Sequence, residues 1–453
     1  MSNRSKRIIA VVATAQLLVA LGIFLLPQIV NAMPSRYQQA LQERVPISAG
    51  LFATFQTPVP DLPAASGAVA DITVPTLVFE PAPTATATLT PTIAPTEEPA
   101  DSEAAPIEEP TPLPTDTPAP TPTNTPMPLP TSARLDGLQN IPQEFNNCGP
   151  ANMTIVLNFY GNAITQGEAA SYLKPNPEDR NVSPWQLRDY VNEFTGMGSS
   201  AHSGGDMMLI KRIIAAGYPV IVEKGYNPNT AEGWYGHYLT LFGYDDATRQ
   251  FDAMDTYQRP FSYEGTTADY DVLEDYWRDF NYTFVVIYPL EDEATVQAIL
   301  GPAMLDEQTM WQNAALKAQA DIEKDPEDAY AWFNLGTSLT HLGELTGDNQ
   351  YYLDGAAAFD NARSIGLPYR MLWYQFRPYI AYMKTARYQD MLDLANATLE
   401  TSGGQNVEET YLYRGHTNAF MGNTAQALAD YRRALELNSN FYPAQIALES
   451  LGG

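Results

Sequence analysis

The chain has 453 residues, enough for two or three domains of ordinary size. Its formal charge of −28 and isoelectric point near 4.3 argue against nucleic acid as a partner and against charge-driven docking on anionic lipid, because both need basic surface. One cysteine excludes an intramolecular disulfide framework, and with no Gly-rich phosphate loop in the sequence no cofactor or metal is expected.

Arg4, Lys6 and Arg7 precede an apolar stretch from Ile8 to about Leu26, and no acidic residue occurs before Glu43. A basic flank stays in the cytoplasm while the apolar run and the residues beyond it cross. Residues 1–32 therefore read as a signal peptide, with Val30-Asn31-Ala32 as a cleavage site, or as an uncleaved membrane anchor, since the run approaches bilayer-spanning length. Both readings place the rest of the chain outside the cytoplasm, with the membrane as partner only through this segment.

Residues 33–132 read as an extended Pro/Thr-rich linker. Nineteen of the 36 prolines fall between Pro58 and Pro130, and no lysine or arginine occurs between Arg44 and Arg134. Such a stretch lacks donors and large apolar residues, so it builds no core. Fully extended at about 3.1 Å per residue, 56–132 would reach on the order of 200 Å.

The single cysteine stands in Gln143-Glu-Phe-Asn-Asn-Cys148-Gly-Pro-Ala. The apolar run Met153, Ile155, Val156, Leu157, Phe159, Tyr160 follows at near-helical spacing and stops at Gly161, so Cys148 falls where a helix begins. The positive end of the macrodipole there favours the anionic, nucleophilic form of a thiol. Gln143, five residues earlier, can bring a side-chain amide to the place where an oxyanion would form. A nucleophilic thiol needs a base. Of the four histidines, His341 and His416 lie in a C-terminal helical region and His202 in the loop-like Ser-Ser-Ala-His-Ser-Gly-Gly. His237 opens Gly-His-Tyr-Leu-Thr-Leu-Phe-Gly-Tyr-Asp, a strand pattern in which His237, Leu239 and Leu241 share the face expected to turn inward, toward a helix packed on the sheet. A following strand at Phe251-Asp-Ala-Met-Asp255 would bring Asp255 near His237 Nδ1. Asp252 is the competing carboxylate, although alternation puts it on the other face. Strands are expected at about 219–223, 237–243, 250–255 and 283–289, forming an antiparallel sheet under the Cys148 helix. Asn152-Met-Thr and Asn281-Tyr-Thr match the glycosylation pattern and read as chance.

The block Asn146-Asn-Cys-Gly-Pro-Ala, the strand Gly-His-Tyr-Leu with Gly-Tyr-Asp behind it, and Met-Asp-Thr-Tyr resemble papain-like cysteine peptidases of the bacteriocin-processing (double-glycine-leader) type, and more closely that group's stand-alone exported relatives. Asn181-Val-Ser-Pro-Trp-Gln-Leu and Gly217-Tyr-Pro-Val-Ile-Val-Glu also fit the group. The resemblance covers roughly 135–290 and implies an α+β papain-like domain over 133–295 acting on a peptide or protein substrate. In it Cys148 is the nucleophile, His237 the general base, Asp255 the orienting acid and Gln143 the oxyanion-hole side chain. The exporters' nucleotide-binding and multi-span segments are missing, so leader cleavage does not carry over.

Beyond it, Tyr411, Gly415, Gly422, Ala427, Tyr431 and Ala434 alternate large, small and aromatic residues, and the order recurs at Trp332, Leu335, Gly336, Gly343, Phe359 and Ala362. A weaker copy runs from Trp373 through Phe376 to Tyr388 and Ala395. These offsets resemble the tetratricopeptide repeat. They imply an all-α array over 305–453, capped by a helix at 307–325, with a concave face for a protein or peptide partner. The function expected from the whole is an exported cysteine peptidase with a binding module. The alternatives are a non-catalytic cell-envelope binding protein, or an acyltransferase or amidase using the same triad.

Overall fold

The computed structural model describes residues 61–64, 129–227 and 233–453, with isolated positions 25, 77 and 79. The expected signal or anchor segment and most of the linker lie outside the described residues. Among the described residues no helix is long and apolar enough to cross a membrane.

One antiparallel sheet organises the first half. Its strands are β1 (Ser132–Arg134), β2 (Met197–His202), β3 (Val220–Tyr226), β4 (Tyr235–Asp245), β5 (Gln250–Met254), β6 (Thr266–Asp269) and β7 (Phe284–Pro289). Their order is β2-β7-β3-β4-β5-β6, with β1 pairing the end of β4 beyond β3. The sheet thus has seven strands where four were expected. The three extra ones are short or polar, and Met197-Gly-Ser-Ser-Ala-His carries none of the alternation that marks a strand in sequence. His202 accordingly ends a strand, not a loop.

The helices α1 (Cys148–Phe159), α2 (Gln166–Leu173) and α3 (Pro184–Phe194) cover one face of the sheet. Met153, Val156, Leu157, Leu187 and Val191 pack there on Ile221, Tyr238, Val285 and Ile287. The other face carries α4 (Met207–Ala215) and α5 (Tyr270–Arg278), with Leu239 lining a space shared with Leu273 and Tyr276. Because both faces are covered, β4 is buried almost throughout, as a near-continuous apolar run should be. This corrects the expected orientation of β4. Tyr238, Thr240 and Phe242 are the residues that meet α1, while Leu239 faces α5. A strand apolar on both sides gives no pattern that distinguishes the two.

The second half is helical. The short helices α6 (Glu293–Leu300) and α7 (Pro302–Leu305) lead into α8 (Glu307–Lys324). Three helical hairpins follow: α9 (Ala329–Thr346) with α10 (Asn349–Ile365), α11 (Arg377–Lys384) with α12 (Tyr388–Leu399), and α13 (Glu408–Phe420) with α14 (Thr424–Leu437), closed by α15 (Tyr442–Ser450). Asp306, Asp328 and Asp348 accept backbone N–H bonds at the starts of α8, α9 and α10. Inside the hairpins small residues sit under rings. A Cβ on Gly336 would meet the Phe359 ring at 2.8 Å, and one on Gly415 the Tyr431 ring at 2.5 Å. These aromatics therefore close the first and last hairpins on themselves.

The helical region lies directly on the sheet domain. Asn334 Nδ2 donates to the Arg278 carbonyl, Asn281 Nδ2 to Ser338 Oγ, and Gln375 Nε2 to the Asp279 carbonyl. A 3-10 turn at Tyr369–Trp373, between α10 and α11, rests against β4. Part of α9 thus meets the chain's own sheet domain. Within the expected linker, Leu62 is buried against the helical region, where its N–H donates to the Leu367 carbonyl and Arg363 donates to the carbonyls of Pro63 and Ala64.

Candidate active site

Cys148 is the first residue of α1, half-buried, with its sulfur at the helix N-terminus. A turn closed by the Asn147 N–H on the Glu144 carbonyl delivers it. Asn146 holds φ +57° in that turn, a left-handed conformation that asparagine tolerates better than most residues. Gly149 is closely approached: a Cβ there would lie 3.3 Å from the Tyr238 ring and 3.4 Å from Val182 Cβ.

His237 and Asp255 come together as expected, through the other ring nitrogen. His237 Nε2 lies 3.1 Å from Asp255 Oδ1, and both side chains are more than nine-tenths buried. Nδ1 is the ring nitrogen left free of Asp255, and Cys148 lies close enough to act on the imidazole electrostatically. The expectation of an Nδ1 contact to Asp255 is therefore corrected, since spacing along two strands says nothing about ring rotation. Asp255 Oδ1 also accepts the backbone N–H of Tyr257 and Gln258, which fixes the carboxylate. Asp252 is elsewhere, paired with Arg134 opposite Gly243.

The electrostatics separate this histidine from the other three. Burial alone would pull His237 down, but the Asp255 carboxylate and the Cys148 sulfur outweigh it and raise the imidazole to about 9. Burial would likewise raise Asp255, yet the His237 charge, with help from Lys224, brings it to about 2. The pair is an imidazolium and a carboxylate. His202 is pushed down by burial to about 4, His416 is lowered by burial, and His341, stacked 3.8 Å from Trp311, is lowered furthest.

Gln143 is held for a donor role. Its backbone N–H donates to the Thr256 carbonyl, and the Thr256 hydroxyl donates to Gln143 Oε1 at 2.9 Å. The NH2 end of the amide is thereby turned away from Thr256. The Thr256 hydroxyl is itself oriented by Asn152, whose Nδ2 also donates to the carbonyls of Cys148 and Tyr238 and whose Oδ1 accepts from Thr240. Asn140 Nδ2 clamps the carbonyls of Asp255 and Arg259. Asn140, Asn152 and Thr256 were not expected as site residues; Thr256 falls in the Met-Asp-Thr-Tyr block and Asn152 in a glycosylation pattern, but neither signal names a role, because their importance comes from what they touch. Asn152 and Asn281, each first in a glycosylation pattern, are buried and donate hydrogen bonds through their side-chain amides.

Further buried groups surround the sulfur. Glu223, opposite Tyr238 on β3, is pushed well up by burial and then by the Cys148 charge. Lys174 Nζ donates to Asn147 Oδ1, and Tyr374 from the helical region feels the Cys148 charge. Among the described residues no cluster has the makings of a metal site.

Residues 135–285 match the Peptidase_C39 like family. This stretch is a Peptidase_C39-like domain. The match covers a third of the chain and points to a cysteine peptidase. A Bacillus anthracis protein described as a C39-like peptidase is similar over 34% of this chain and 96% of its own, at 12% identity and a TM-score of 0.28. No curated protein matches. The C39-like domain contains all four residues singled out as candidate chemistry: Gln143, Cys148, His237 and Asp255.

Proposed function

We propose that the chain is a thiol-dependent peptide hydrolase whose nucleophile is Cys148. The observation that carries the reading is the buried His237–Asp255 pair, acted on by the one cysteine, which starts a helix. In this mechanism the sulfur, as a thiolate beside the His237 imidazolium, attacks the scissile carbonyl carbon. The carbonyl electrons move to oxygen, where the Gln143 NH2 and the backbone N–H of Cys148 hold the oxyanion. As the C–N bond breaks, the leaving amine takes the proton from Nδ1. Water then adds to the thioester with His237 accepting its proton, and the sulfur leaves. Asp255 keeps the imidazole in register and compensates its charge throughout.

The three hairpins are read as tetratricopeptide repeats, supported by small residues packed under rings at Gly336 and Gly415. Their docking on the C39-like domain supports a role in shaping the cleft. The basic-then-apolar start of the chain supports export, with residues 1–32 as signal or anchor. The test is Cys148→Ala. Peptide cleavage should vanish while the melting temperature stays within a degree or two, because a half-buried thiol adds little packing. Retained cleavage would remove the hydrolase reading.

A further inference from the structure

The geometry points to a carboxylate-binding subsite beside the Cys148 sulfur, formed by Arg180 of the C39-like domain and Arg370 of the helical region. It rests on Cys148 being the nucleophile of a peptide hydrolase and names the substrate class that such an enzyme would favour.

Two guanidinium groups from distant parts of the chain converge on the same two rings. The Arg180 guanidinium carbon lies 5.9 Å from the centre of the Tyr235 ring and 5.4 Å from that of Trp373. The Arg370 carbon lies 3.9 Å and 5.3 Å from the same rings. Tyr235 is on β4 two residues before His237, about 7 Å along the strand. On its other side the cluster reaches the nucleophile through Val182, two residues after Arg180, which packs against Gly149. Tyr374 completes the link, since the charges of Cys148, Arg180 and Arg370 all act on it.

Arg180 enters no ion pair among the described residues, and its Nε is buried without a hydrogen-bond partner. In a chain of 53 acidic and 25 basic residues, no carboxylate among the described residues is paired with Arg180. Arg370 is anchored by Nη1 on the Trp234 carbonyl. Arg180, near the Tyr235 and Trp373 rings, carries an N–H fork of the kind that grips a carboxylate with two bonds. The occupant is an acidic side chain or the C-terminal carboxylate of a peptide, within a few residues of the bond to be cut. The subsite forms only with the helical region docked, which gives that docking a role in selectivity.

The full chain carries a single cysteine, so alkylation reports on Cys148 alone. Its rates with iodoacetate and with the neutral isostere iodoacetamide are compared in the native protein and in Arg180→Gln, Arg370→Gln and Arg180→Lys. Each glutamine variant should slow iodoacetate roughly fivefold more than iodoacetamide, the lysine variant less so. Equal slowing of both reagents, or none, overturns the subsite and leaves the arginines as domain glue. A synthetic peptide library read by mass spectrometry supplies the second arm. Cuts should cluster near Asp, Glu or a free C-terminus, and C-terminal amidation separates the last from the side chains. Cuts indifferent to acidic groups overturn the proposal. A library left wholly uncut removes the hydrolase reading instead, and the alkylation ratio still decides the subsite.

Discussion

The C39-like domain and the helical region both bury histidines, and they treat them in opposite ways. His237 sits between a carboxylate and a sulfur and is held up at about 9, whereas His341 lies on the Trp311 ring and falls far below its ordinary value. His237 is the more deeply buried of the two, at 4% exposed against 20%, and yet it is the one held up, so the partners decide. In the sheet domain polar side chains are spent on one another, as in the chain from Asn152 through Thr256 to Gln143. In the hairpins the same depth is filled by glycine under aromatic rings. One region keeps charge where it is needed, and the other packs tightly.

Asp255→Asn tests the charged side of this contrast most severely. Peptide hydrolysis should fall by about 10² to 10⁴, the usual worth of a positioned acid–base group. An imidazole left without its counter-charge also costs on the order of 3 kcal/mol in a buried pair, visible as a lower denaturation midpoint. The pH dependence comes from the same shifts. His237 is raised, so its stabilisation is complete below about 6.5 and lost as pH rises through about 9. Asp255 is depressed, so its share is present above 3.8 and lost as pH falls through about 2. In Asp255→Asn the alkaline loss should move toward neutral pH, while Asp252→Asn should leave it in place. If both variants keep the native profile, the pair is not what holds the imidazolium.

The packed side is tested by Gly415→Ala. With Tyr431 2.5 Å from the new methyl, overpacking should cost about 1–3 kcal/mol. Cys148 alkylation at low temperature should be unchanged, and slower alkylation would show that the last hairpin sets the site's geometry.

Glu408 lies where the two regions meet. Its carboxylate accepts from Asn438, which also donates to the Leu173 carbonyl, and burial raises it to about 7. A raised carboxyl destabilises the fold progressively as pH climbs from about 4.5 to about 7. Glu408→Gln should remove part of that slope, on the order of 1–2 kcal/mol, in denaturation at pH 5 and 8. An unchanged slope would place the titration in its neighbours Asp179 and Glu409, both also raised by burial. The smallest effect is expected at Leu62→Ala, about 1–2 kcal/mol of lost apolar contact with alkylation unaffected, which would measure how firmly Asp61–Ala64 is docked.

The sequence by itself determined the elements whose chemistry or period is local. Cys148 before Gly-Pro and an apolar helical run marks a helix start, and small residues recurring under aromatics mark helical hairpins. His237 and Asp255 were legible because the proposed reaction demands those residue types at strand positions, and alternation chose Asp255 over Asp252. Tertiary structure alone decided the rest. Which imidazole nitrogen meets Asp255 depends on a side-chain rotation that no spacing encodes. Which face of β4 meets α1 depends on both faces being covered, which erases the alternation that would reveal it. Asn140, Asn152 and Thr256 gain their roles from partners far away in the chain. Arg180 and Arg370 stand 190 positions apart and meet on Tyr235 only because the helical region folds back over the sheet. Long-range convergence leaves no trace in a single sequence, because each residue's local pattern is satisfied whether or not the distant partner arrives.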